Sequence, residues 1–190
     1  KEKLKALEKE QDDTNSNKLY EEGNAFEWRF QFPQLLDDKG HFTGFDIVIG
    51  NPPYGAKLSD TEKKIFKEKF SDVHMRTPET FCYFTSMAFR LSSKTRCGIV
   101  AYIVPNNIFF QNENEKTRIL LAIDNTLLRA INVGDNTFED ADVPTCIFIS
   151  KQVKSENYNI SYSDYRNDNV RNIEWQKSIE EINIAKLLTI

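Results

Sequence analysis

Asn51-Pro52-Pro53-Tyr54 is the stretch whose residue types could do chemistry, and it follows directly on the apolar run Phe45-Asp46-Ile47-Val48-Ile49-Gly50. Asn51 carries a carboxamide oxygen that can accept an N–H bond, and the backbone carbonyl of Pro52 is a second acceptor beside it. Pro52 and Pro53 lack backbone donors and have fixed φ, so that carbonyl is aimed without a competing N–H. Tyr54 adds a flat aromatic face. Two neutral acceptors next to a ring suit an exocyclic amine on a planar group. Such a site works by positioning and needs no general base with a tuned pKa. Asp46, at the strand entrance, reads as structural rather than as a catalytic acid. The plain alternative is a strand followed by a rigid Pro-Pro turn, with Asn51 and Tyr54 incidental.

The elements around the motif alternate. Residues Lys1 to Glu22 are charge-rich and predict an exposed or coiled helix, then a loop. Phe26-Glu27-Trp28-Arg29-Phe30-Gln31-Phe32-Pro33 predicts a short strand or extended segment that Pro33 ends. Asp37-Asp38-Lys39-Gly40 is a turn. Phe45 to Gly50 predicts a strand buried on both faces, as parallel strands are. Ser59 and Glu62 form a capping box opening a helix to about Phe70, with Ile65 and Phe66 inward. Thr77-Pro78-Glu79 starts a second helix to about Leu91, with Phe81, Phe84, Ala88 and Leu91 as core. Gly98 to Val104 is a strand ended by Pro105. Glu113 to Ile123 is a helix with Ile119, Leu120 and Ile123 on one face. Leu128 to Val133 and Thr145 to Ser150 are further strands. The order predicts an α/β fold: parallel strands with helices on the sheet's faces and an antiparallel hairpin at one edge. Ligands then bind at the carboxyl ends of the strands, where Asn51 and Pro105 both fall. Beyond Lys151 the chain turns polar, and Gln176 to Leu188 predicts a last helix. The division expected is 1–44 as a charged and extended lead-in, 45–153 as the half-domain with the site, and 154–190 as an extension.

Composition sets limits on function. The 190 residues are 39% hydrophobic and 28% charged, an ordinary water-compatible balance. No stretch approaches a membrane span, and no signal peptide is visible, which together predict a cytoplasmic location. The chain opens with Lys1 rather than Met, so a fragment or processed chain is expected. The net charge of −4 is awkward for a nucleic-acid binder. Arg90, Lys94 and Arg96, and Lys57, Lys63, Lys64 and Lys67, are candidate phosphate contacts that read more simply as solvated helix surface. Cys82, Cys97 and Cys146 show no C-x-x-C spacing, and His41 and His74 are isolated, so reduced thiols and no metal site are expected. Glu62-Lys63-Lys64 contains an E-x-K string of nuclease type, but it lies in a surface helix pattern without a partner carboxylate.

Phe26 to Ser150 resembles the N6-adenine DNA methyltransferases of type II restriction–modification systems, of the type IIG kind that fuses methylase and endonuclease. The resemblance rests on F-E-W-R-F-Q-F-P, on G-F-D-I-V-I-G-N-P-P-Y-G, on G-I-V-A-Y-I-V-P-N and on T-F-E-D-A-D-V-P-T-C-I-F-I-S. It implies a Rossmann-like sheet that uses S-adenosylmethionine to methylate adenine N6 in duplex DNA. By this resemblance Asn51 and the Pro52 carbonyl take the two N–H bonds of the adenine amine, Pro53 stiffens the turn, and Tyr54 meets the flipped base, since base-modifying enzymes extrude their target. Phe138 is then the second aromatic residue on that base. Asn51 also neighbours the methionine end of the cofactor.

One departure from the family pattern carries consequences. No G-x-G occurs, and the 7 glycines are scattered, so the cofactor's Gly-rich loop is expected upstream of Lys1. The chain is expected to hold the C-terminal half of the catalytic sheet and the start of a target-recognition or linker region. It should then expose a sheet edge, completed by an upstream segment or by a homodimer, and should neither bind the cofactor well nor methylate alone. Two other functions fit the residues. N-P-P-Y also occurs in methyltransferases acting on protein glutamine or RNA. A non-catalytic DNA-binding or assembly module would suit the acidic charge and the missing loop.

Overall fold

In the computed structural model the stretch before Asn51 forms strand β1, Ile47–Gly50, at the rim of a six-stranded sheet. The structure describes residue 26 and residues 28–77, 79–135, 143–166 and 180–184. The chain divides into two compact units, Lys1–Thr43 and Gly44–Ile190. The helix and loop expected over Lys1 to Glu22 lie outside the described residues.

In the first unit, helix α1 spans Trp28–Gln31 and a 3-10 turn follows at Pro33–Leu35. This corrects the strand expected there. Aromatics at every second position suit a strand only if a partner strand pairs with it. Here the Phe32 N–H instead bonds the Trp28 carbonyl at 2.8 Å, and the two rings, four residues apart, stack at 5.9 Å. The turn at Asp37 forms as expected. Its carboxylate accepts from the Lys39 N–H at 2.9 Å and the His41 N–H at 2.8 Å.

In the second unit the strands are β1, β2 (Ile99–Pro105), β3 (Thr126–Gly134), β4 (Thr145–Lys151), β5 (Asn159–Asp164) and β6 (Glu180–Asn183). Their order across the sheet is β1-β2-β4-β3-β5-β6. β1 runs parallel to β2, and β3 parallel to β5, while β4 runs antiparallel to both β2 and β3. The β3–β4 hairpin therefore forms, but inside the sheet rather than at its edge. β4 inserts between β2 and β3, and β5 then covers the far side of β3. The helix expected over Gln176 to Leu188 is corrected at Glu180–Asn183, which pairs antiparallel with β5. Ile160 opposite Ile182 gives the pairing an apolar contact that a lone helix stripe would lack.

Among the described residues, three α-helices accompany the strands. Helix α2 is Asp60–Lys69, and its capping box is present: Ser59 Oγ accepts from the Glu62 N–H at 3.3 Å, and the Glu62 carboxylate accepts from the Ser59 N–H at 2.8 Å. Ile65, expected inward, is exposed, while Phe66 packs on the core. Helix α3 is Thr80–Leu91 and buries Phe81, Thr85, Ala88 and Phe89, a stripe at helical spacing. Phe84 falls off that stripe and is 41% exposed, against expectation. Helix α4, Glu115–Ala122, buries Thr117 and Leu121 one turn apart, which turns Ile119 outward.

Both helices land on one face. Val100, Tyr102 and Val104 of β2 and Cys146 and Phe148 of β4 are buried in one cluster with Phe81, Ala88 and Leu121. The alternate residues Ile99, Ala101, Ile103, Ile147 and Ile149 are only half-buried, and on β1 Ile47 and Ile49 are 62% and 78% exposed. Among the described residues α3 and α4 thus pack on one face; on the other, Ile131, Val133 and Tyr165 form a smaller buried cluster with Ile147, while at β1 that face is open, not buried as expected. The connections β1 to β2 and β2 to β3 step the same way across the sheet, and right-handed crossovers then place both helices on the same side. β1 is correspondingly an edge strand with only Val48 packed against the core.

Candidate active site

The site is built where β1 runs out. The strand entrance is fixed first. Gly44 has φ +84 and lies against the turn after α3, where a Cβ would meet the Ser92 carbonyl carbon and the Ser93 backbone at 2.7 Å. Arg96 reaches across to the Asp46 carboxylate and donates to the Gly44 carbonyl at 2.6 Å. Asp46 is thus tied to the strand's amino end, away from Asn51, in the structural place expected for it. The last β1–β2 pair is Gly50 with Tyr102, and the chain then leaves the ladder as Asn51-Pro52-Pro53-Tyr54.

Asn51 is exposed, Pro52 is buried and Tyr54 is half-buried. The Tyr54 hydroxyl lies 2.6 Å from Asn51 Oδ1 and 2.9 Å from the carbonyl oxygen of Ile103. Ile103 is the first β2 residue beyond the last β1 pair, so the phenol takes the place of the ladder donor that the departing strand removes. The Tyr54 ring packs against the core, and burial first, then the nearby Cys146, push its pKa up to about 12. The phenol therefore stays protonated and donates. From the other side, Thr80 Oγ1 donates to the Pro53 carbonyl at 2.8 Å and accepts from the Ala56 N–H at 3.4 Å. Gly55 turns the loop at φ +59.

Because β1 and β2 are parallel, Asn51 and Pro105 emerge at the same rim of the sheet. Further polar side chains follow along that rim. Asn106 Nδ2 donates to Asn132 Oδ1 at 3.4 Å, and the carboxylate of Asp164, at the end of β5, is held below the usual range by Arg166. Next to Thr80 lies an open cavity of about 480 Å3 lined by Thr77, Glu79, Phe110, Gln111, Asn112 and Glu113. None of Asn51, Pro52, Pro53 or Tyr54 lines it.

The structure thus brings Asn51, Pro52, Pro53 and Tyr54 together. Phe138, the second expected aromatic, lies outside the described residues. Several other candidates are committed elsewhere. Arg90 pairs with Asp72 at 2.8 Å and sits over the Phe70 ring, and Arg96 pairs with Asp46, so neither is a free cation for phosphate. Glu62 is occupied by its capping box. Sequence reasoning missed Thr80. Its one signal was a hydroxyl residue at the first position of the helix after the motif.

Comparison with known proteins identifies the family and the fold. The family model described as Eco57I restriction-modification methylase matches residues 1–138. A protein of Methanocaldococcus jannaschii named as a type II restriction enzyme and methyltransferase is 30% identical over 146 residues, which is 76% of this chain and 12% of that protein. Among solved structures, the methyltransferase subunit of a type I restriction-modification system from Streptococcus thermophilus aligns over 77% of this chain and 31% of its own. It does so with a TM-score of 0.53 and 23% identity. The type IIG restriction endonuclease BpuSI aligns over 76% of this chain and 20% of its own, with a TM-score of 0.58 and 16% identity. These structural likenesses show a shared fold.

Proposed function

The chain belongs to the Eco57I restriction-modification methylase family, and from that premise we propose that it supplies the methyl-acceptor side of a DNA adenine-N6 methyltransferase site. It spans 12% of the length of the Methanocaldococcus jannaschii relative, so the proposal concerns the natural protein that carries this sequence. The observation behind it is the exposed Asn51 carboxamide at the end of β1, oriented by a neutral phenol and a buried proline.

In this reading duplex DNA presents a flipped adenine to the sheet rim. Asn51 Oδ1 accepts one N–H of the exocyclic amine, and the Pro52 carbonyl accepts the other. Holding both N–H bonds turns the nitrogen lone pair out of the ring's conjugation. S-adenosylmethionine supplies an electrophilic methyl group on a sulfonium. Asn51 and Pro52 aim the lone pair at that methyl, and the proton released from nitrogen passes to solvent. No group with a neutral-range pKa is required, and Tyr54, at about 12, is not one. Tyr54 meets the base with its ring, and Phe138 is its partner on the other face. Of the cofactor, this chain's residues fit only the methionine end, beside Asn51. The sequence has no G-x-G to hold the rest. The segment 154–190 leads into the target-recognition region and adds β5 and β6 to the sheet on the way.

The test is Asn51→Ala in the natural protein. Methyl transfer to adenine falls about 10²-fold or more, as when one transition-state hydrogen-bond partner is removed. Duplex binding stays within about twofold, because base contacts made by one amide are a small part of an interface dominated by phosphate. A variant that methylates like the wild type overturns the assignment. One observation favours a non-catalytic assembly module instead: Arg90 and Arg96 are spent on internal ion pairs in a chain of net charge −4. On that reading the wild type itself transfers no methyl group.

A further inference from the structure

We propose that Thr80 is a positioning residue for the methyl-acceptor loop, acting through a hydroxyl that clamps both arms of the turn; the inference rests on the function proposed above. Thr80 is the first residue of α3 and is 4% exposed. Its Oγ1 gives its proton to the Pro53 carbonyl at 2.8 Å and receives the Ala56 N–H at 3.4 Å. Those two atoms flank Tyr54-Gly55, so one oxygen spans the reversal of the chain.

The loop needs such an external tie. Pro52 and Pro53 have no N–H to bond, and the strand ladder ends at Gly50. What holds the turn in place comes from its neighbours: Tyr54 reaches to Ile103 on β2, and Thr80 reaches in from α3. α3 is a stiff anchor. Phe81, next to Thr80, is fully buried, and Thr85 bonds back to its carbonyl at 2.8 Å. Fixing the Pro53 carbonyl fixes the peptide plane after it, and so the direction in which the preceding Pro52 carbonyl and Asn51 point. A hydroxyl at a helix start ordinarily caps its own helix. Here it is turned outward, to the loop, and the N-cap residue Glu79 makes no side-chain cap bond.

Packing and clamping can be separated by substitution. Thr80→Val keeps the shape and loses the hydroxyl, and Thr80→Ser keeps the hydroxyl and loses a methyl. Pro53 is exposed, so its freed carbonyl can bond to water and the fold survives. In the natural protein, Thr80→Val lowers kcat about tenfold or more, with KM for duplex DNA and for S-adenosylmethionine within about twofold, because a loosened near-attack geometry affects only the transition state. Thr80→Ser restores kcat to within about twofold. Amide hydrogen exchange at Ala56 reads the clamp without catalysis: it speeds up about tenfold in Thr80→Val and stays near wild type in Thr80→Ser. Unchanged kcat and exchange in Thr80→Val overturn the proposal, as does a Thr80→Ser variant as impaired as Thr80→Val. If the wild type transfers no methyl group but the exchange pattern holds, the clamp stands and the proposed function falls.

Discussion

Tyr54 has one proton and two acceptors within reach, Asn51 Oδ1 at 2.6 Å and the Ile103 carbonyl at 2.9 Å. Its hydroxyl therefore links the amide proposed to meet the substrate to the strand beside it. Tyr54→Phe keeps the ring and cuts the link. The expected result is a kcat lowered about tenfold in single-turnover measurements, with duplex affinity unchanged, since misplacing a contact group by even 1 Å is costly. A Phe variant as fast as wild type shows that Tyr54 contributes its ring alone. The pH behaviour follows from burial, which raises the phenol from its ordinary 10.0 to about 12. The folded state thus favours the protonated form. Its contribution to stability is full below about pH 10 and is lost as pH rises through about 12. Wild type and Tyr54→Phe should accordingly give pH–rate profiles of the same shape between neutrality and about pH 10. Asn51 to Tyr54 could be proposed as the site from the sequence because their residue types sit in four consecutive positions. Thr80 was not, because its contact spans 27 positions and exists only once α3 has docked.

Local rules explain which elements were legible. The α2 capping box and the turn at Asp37 are set within four residues, and both formed as read. The apolar runs of β2 and β4 also formed, because each is long enough to specify a strand whatever its neighbours. Order across the sheet was less accessible. Nothing local says that β4 slots between β2 and β3, or that β1 is left at the rim with Ile49 exposed. Aromatic repeats misled in both directions. The aromatic alternation gave a helical turn at Trp28–Gln31, and Phe84 fell outside the α3 core stripe. At this scale Gly44 carries the sharpest expectation. Its φ of +84 and the 2.7 Å approach of the Ser92–Ser93 backbone leave no room for a side chain. Gly44→Ala should destabilise the second unit by about 2 kcal/mol or more, read as a lower urea midpoint at constant slope. An unchanged midpoint would show that the β1 entrance does not depend on that contact.

In the proposed function, charge decides how the molecule as a whole meets DNA. The net charge is −4, and two of the cations that looked available belong to internal pairs. Arg96 holds the β1 entrance through Asp46 and the Gly44 carbonyl. Arg96→Ala should therefore lower stability while leaving the salt dependence of duplex binding unchanged. A phosphate contact would reduce that slope by about one unit of log K per log salt. A slope reduced by that amount would place Arg96 at the DNA instead. Among the described residues β1 lies at the rim of the sheet, with Ile47 and Ile49 exposed.

The most direct measurement follows the methyl group itself. The natural protein carrying this sequence is incubated with duplex DNA and methyl-labelled S-adenosylmethionine, and the digested nucleosides are resolved by mass spectrometry. The account predicts label on the N6 of deoxyadenosine, appearing at an initial rate lower by about 10²-fold or more when Asn51 is replaced by alanine. Label on cytosine or on protein, or label at an equal rate with and without the Asn51 carboxamide, would contradict it.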